Sequence, residues 1–124
     1  MKILVVDDEK DVQILFEQRF RKEIRNSEME FVFAFSGEED LTYLNGHEHE
    51  AVLILSDINM PGMSGLELLG HIKQKYHRPP PIVMMITAYG DAENFNTAKE
   101  LGADDFLTKP VDFTVLKEKL NSIH

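Results

Sequence analysis

The chain contains no cysteine. Disulfide bonds and thiolate chemistry are excluded, and nothing marks an oxidising compartment. Long apolar runs are also missing. MKILVVDDE, residues 1–9, meets acid too early for a signal peptide, and no run approaches membrane-spanning length. Positive charge is scarce: 13 Lys and Arg stand against 22 Asp and Glu, a formal net charge of -9. Such a surface repels nucleic acid and anionic lipid, so no direct nucleic-acid or membrane binding is expected, and cations or basic protein surfaces are the natural partners. Glycine is absent where a nucleotide-binding turn needs it. VVDDEKDV, residues 5–12, offers two acids that would repel phosphate. These absences leave a cytoplasmic globular domain, and 124 residues suffice for one domain (1–124) with a real core.

What is present is alternation. Short aliphatic or aromatic runs at Ile3–Val6, Phe31–Phe35, Val52–Ser56, Ile82–Thr87 and Asp105–Thr108 read as strands. Between them lie helical patterns. Val12, Leu15, Phe16, Phe20 and Ile24 share one face of the first. Ser36 and Glu39 form a capping box for a second helix that carries Leu41 and Leu44 and stops at Asn45–Gly46. Ser64 and Glu67 open a third, with Leu66, Leu69, Ile72 and Tyr76 inward. HRPPP, residues 77–81, forces an extended connection. Phe95, Ala98 and Leu101 mark a fourth helix ended by Gly102, and Asp112 caps a fifth carrying Val115, Leu116, Leu120 and Ile123. Five strand–helix repeats predict an α/β fold: a five-stranded parallel sheet, flavodoxin-like (βα)5, strand order 2-1-3-4-5, with helices on both faces.

In an open parallel sheet, ligands bind beyond the carboxyl ends of the strands. Asp7 and Asp8 follow strand one, Asp57 follows strand three, Thr87 ends strand four and Lys109 follows strand five. Taken singly, Asp7 or Asp8 reads as a helix cap, Thr87 as a β-former and Lys109 as a solvated turn lysine. Taken together they converge on one crevice. Three ionised aspartates and one ammonium leave an excess of two negative charges, which one divalent cation offsets. All-oxygen ligands with water suit Mg2+, with Mn2+ as the alternative. A carboxylate nucleophile beside a hard metal, an ammonium and a hydroxyl is the equipment of phosphoryl transfer.

Four motifs carry a family likeness: VVDDE (5–9), LSDINMPGMSG (55–65), MMITA (84–88) and FLTKP (106–110). With them the chain resembles, over essentially its whole length, the receiver domains of two-component response regulators, the CheY-like superfamily. The resemblance implies that Asp57 is the phosphoacceptor, taking its phosphoryl group from a histidine kinase, a phosphotransfer protein or a small phosphodonor. It implies Mg2+ held by Asp7, Asp8, Asp57 and the backbone carbonyl of Asn59, with Asp7 acting through water. Thr87 would bind the phosphoryl group and move with it, Lys109 would pair with it, and Pro110 would follow a cis peptide bond. Phe106 falls at the switch aromatic; it would turn inward and reshape the surface of the fourth helix, fifth strand and fifth helix. Ala88 keeps the phosphoryl site open, while Asn59 and Tyr89 border the path of attacking water. Tyr89 reads equally as a partner-contacting surface aromatic.

The likeness implies a signalling switch, not a conventional enzyme, acting on a downstream effector or a fused output domain. A dehalogenase-type phosphatase would need an aspartate at position 59, where Asn59 stands. The rival reading is a pseudo-receiver, an interaction module that is never phosphorylated. His47 and His49 read as a solvated loop pair without a third ligand.

Overall fold

The computed structural model describes residues 2–47, 53–75, 82–88 and 90–122. Val52, Tyr76, the 77–81 connection, Tyr89 and Ile123 lie outside the described residues.

Five strands, β1 (Lys2–Val6), β2 (Glu30–Ala34), β3 (Leu53–Asp57), β4 (Ile82–Thr87) and β5 (Asp105–Thr108), form one sheet in the order β2-β1-β3-β4-β5. Every neighbouring pair is parallel. Strand alternation divides the core in two. Leu4, Val6, Ile54, Val83 and Met85 point to one face, where α3 (Gly37–His47), α4 (Gly65–Lys75) and α5 (Ala92–Glu100) pack. Ile3, Val5, Leu53, Leu55, Met84 and Ile86 point to the other, covered by α1 (Asp11–Arg19) and α6 (Phe113–Asn121), while the short α2 (Arg21–Arg25) follows α1 and buries no residue. A strand covered on both faces is apolar throughout, and so β3 reads LILS before its terminal aspartate.

The described residues thus hold six helices where five were expected. The first predicted helix breaks at Phe20, whose backbone leaves helical values (φ -110°, ψ 22°). The cause is tertiary. Phe20 is fully buried, its ring stacked 5.9 Å from Phe16 and close to Phe31 and Phe113. Turning the chain there keeps the ring in that aromatic cluster and leaves Ile24 exposed. Leu15 is likewise exposed, because the inward row of α1 runs Val12–Phe16. Phe95, Leu101 and Val115 also stand more outward than the periodicity implied.

Capping chemistry follows the sequence closely. Ser36 Oγ accepts from Glu39 N (3.1 Å), Ser64 Oγ from Glu67 N (3.2 Å) and Asp112 Oδ1 from Thr114 N (2.9 Å). The second helix does not stop at Asn45–Gly46 but continues to His47, so His47 is helical.

Candidate functional site

Asp57 ends β3 and is 2% exposed. Its Oδ2 accepts from the Lys109 ammonium at 2.8 Å, and Oδ1 accepts from Asn59 N at 3.3 Å. Lys109 is aimed by its own backbone, whose N–H donates to Thr87 O at 2.8 Å and extends the β4–β5 pairing by one step. The Lys109–Pro110 peptide bond is cis. Burial pulls the Lys109 ammonium down, but its bond to Asp57 and the charges of Asp57 and Asp7 prevail and hold it above the usual lysine value.

Asp7 and Asp8 follow β1. Asp7 is buried and donates its N–H to Ala34 O (3.1 Å); its Oδ1 accepts from Glu9 N (2.9 Å). Neither aspartate caps α1: Lys10 stands at that position, and no side chain closes the helix end. The simplest structural reading of this acid pair therefore fails. Burial raises the Asp7 carboxyl, the Glu9 N–H opposes it, and the Asp57 charge adds to the rise. One carboxylate oxygen from each of Asp7, Asp8 and Asp57 lies within 4.8 Å of the others. Three carboxylates crowded against one ammonium leave uncompensated negative charge, and all-oxygen donors fit a hard divalent ion of the Mg2+ type.

Thr87 is buried at the end of β4, and Ala88 beside it is exposed. A cleft of about 250 Å³ opens here, lined by Thr87, Ala88, Gly90, Asp91, Phe95 and Thr108. Phe106 on β5 is half-buried. Its ring lies against Phe95, centroids 4.2 Å apart. The sequence reading missed this pairing, since helical periodicity turned Phe95 toward the sheet core. It also missed Gly65, whose backbone lies directly against the carbonyl of Asp57: a Cβ there would overlap Asp57 O.

The Lys109–Asp57 contact carries a stability prediction. Lys109→Met should destabilise the protein by about 1–3 kcal/mol at neutral pH, less than for a sealed ion pair because the lysine side chain is 41% exposed. Urea midpoints check it. Asp57→Asn in the same background should recover most of the loss, because the buried charge is then gone.

The family is now evident. The response regulator receiver domain model matches residues 3–121, and the chain belongs to that family. A receiver domain protein from Clostridium thermocellum is 28% identical, with a TM-score of 0.85 over 98% of this chain and 92% of that one. The receiver domain of NtrX from Brucella abortus is 30% identical, TM-score 0.79, over 98% and 96%. Chemotaxis protein CheY4 of Vibrio cholerae is 25% identical, TM-score 0.80, over 99% and 98%. The chain is a signalling domain of two-component systems, a class that works through kinases and effectors and is not a conventional enzyme. No helix among the described residues is long and apolar enough to cross a membrane.

Proposed function

We propose that the chain is a phosphorylation switch of the cytoplasm in which Asp57 accepts a phosphoryl group from a histidine kinase, a phosphotransfer protein or a small phosphodonor. The observation that carries this reading is the buried Asp57 carboxylate, bonded to Lys109 at 2.8 Å and lying beside Asp7 and Asp8.

An Asp57 oxygen forms the new bond to phosphorus. The donor's P–N or P–O bond breaks, and its electron pair leaves with the donor. Asp57 is held for this by Asn59 N and by Lys109, whose ammonium is freed from the carboxylate to pair with the phosphoryl oxygens. Asp7, Asp8, Asp57 and the Asn59 carbonyl would hold Mg2+, which when bound supplies charge neutralisation to the phosphoryl group. The Thr87 hydroxyl, at the end of the neighbouring strand, donates to the phosphoryl group and moves toward it. The cleft beside Thr87 gives Phe106 room to turn in from its place on Phe95, and the surface of α5, β5 and α6 changes with it. Because α2 adds a helix to the count, this is the surface expected from the fourth and fifth predicted helices.

The test is intact mass after incubation with acetyl phosphate and Mg2+. The wild type should gain one phosphoryl adduct, absent in Asp57→Asn and lost when a chelator replaces the metal. An unmodified wild type, under conditions that label another receiver, would instead establish the pseudo-receiver reading.

A further inference from the structure

A second charged feature lies away from the phosphoacceptor. Four of the chain's 13 cations, Arg19, Arg21, Lys22 and Arg25, stand within seven residues, with Glu23 the only acid among them. The fold adds Lys117 from α6, and together these residues line an open cleft of about 580 Å³. This is strong local positive charge on a chain of net charge -9.

Two of the cations have structural work. Lys117 pairs with Glu23 (3.2 Å) and lies 5.4 Å over the Phe20 ring, and Arg19 lies 5.5 Å over Phe113. Arg21 and Arg25 do not: among the described residues no carboxylate stands within ion-pair distance of either. They are four apart on α2, a like-charge spacing that opposes the helix they stand on. The helix dipole favours Arg25 in the last turn but opposes Arg21 at the first residue, so local stability does not account for the pair. Arginine also presents a planar fork that bonds carboxylates two at a time.

We propose that the α1–α2–α6 cleft is a docking surface for a short acidic segment of a partner protein. Charge complementarity selects an anion. The acidic remainder of the molecule would repel a long polyanion such as duplex DNA or a flat anionic bilayer, whereas a short segment meets only the cleft. The nine residues of α1 lead about 14 Å away from the strand ends that carry Asp57, so the two surfaces are separate. The inference does not rest on the phosphoacceptor reading.

The experiment titrates the full chain into a fluorescein-labelled, glutamate-rich peptide and follows anisotropy at low and high salt. Saturable binding is expected, weakened about tenfold or more by salt and by Arg21→Glu/Arg25→Glu. Arg25→Glu alone should weaken binding about threefold or more, whereas Lys99→Glu, the same two-unit change in charge on the opposite face of the sheet, should change affinity by less than about twofold, which separates a site from a net-charge effect. Thermal melts confirm that each variant is folded. Several outcomes overturn the proposal: no saturable binding, equal loss with Lys99→Glu, or a double-variant effect confined to phosphatidylserine vesicles, a DNA duplex or self-association in sedimentation.

Discussion

Asp40→Ala should make this protein more stable, by about 2–4 kcal/mol at pH 8, and the gain should shrink to about 1 kcal/mol or less near pH 4. Asp40 sits in the first turn of α3 and is fully buried. Neither of its carboxylate oxygens has a hydrogen-bond partner among the described residues. A buried carboxylate with no cation and no donor is strongly disfavoured, and burial alone pushes the carboxyl from 3.8 up to about 7.

The sign follows from linkage. The folded state binds this proton more tightly than the unfolded chain, so Asp40 favours folding fully below pH 4. That contribution is lost as pH rises through about 7. About three pH units at about 1.4 kcal/mol each give an upper limit near 4 kcal/mol. Truncation to Ala removes the charge, leaves a small void and loses a favourable dipole contact, so the expected gain lies below that limit. Asp40→Asn should fall between the two, because its amide is also left unpaired. Urea midpoints of wild type and variants from pH 4 to 8 decide the matter. The wild-type-minus-variant difference cancels the titration of Asp7 and the other shared acids. A difference that does not change with pH would mean that Asp40 is ionised and partnered.

Why this residue escapes a sequence reading is instructive. GEED at residues 37–40 has the acids that a helix's first turn favours, and such acids are ordinarily solvated. Asp40 is buried because it stands on the inward row of α3 with Gly37 and Leu44, and the same turn docks on the 58–64 loop. Met63 N donates to Glu38 Oε1 (3.2 Å), and Gly37 leaves room for the Met63 side chain. Neither contact has a local signature. The sheet, in contrast, was legible to within a residue or so per strand, because doubly covered strands are apolar without interruption and their polar ends stand out. The same contrast exposed Asp7, Asp8, Asp57, Thr87 and Lys109 as a set: the parallel topology places all five at one edge. Helix faces were less legible. Leu15, Ile24 and Phe95 obey helical spacing yet face outward, since the break at Phe20 and the Phe95–Phe106 pairing are set by long-range contacts.

Gly65→Ala should lower stability by about 3 kcal/mol or more and, on the phosphoacceptor role proposed for Asp57, weaken phosphoryl uptake in whatever fraction folds. A Cβ at this position would overlap Asp57 O and stand 2.7 Å from Ile58 Cα and 2.9 Å from Asp57 C. All three are backbone atoms, so no side chain can swing aside. The same glycine donates its N–H to Ile58 O at 2.8 Å, which pins the start of α4 to the end of β3. Relief therefore requires α4 to withdraw from β3 or Asp57 to shift. A shift of Asp57 would stretch its bonds to Lys109 and Asn59, and that links this packing constraint to the chemistry. Gly70→Ala is the matched control: it lies on the same helix, and nothing stands within 4 Å of its Cβ position. That change should be neutral or stabilise by up to about 1 kcal/mol, since glycine is the poorer helix former. Urea midpoints with m-values separate lost stability from lost compactness, and acetyl phosphate labelling of the folded fraction tests the link to Asp57. Equal stability of the two variants would mean that the approach of Gly65 to the β3 terminus is not required.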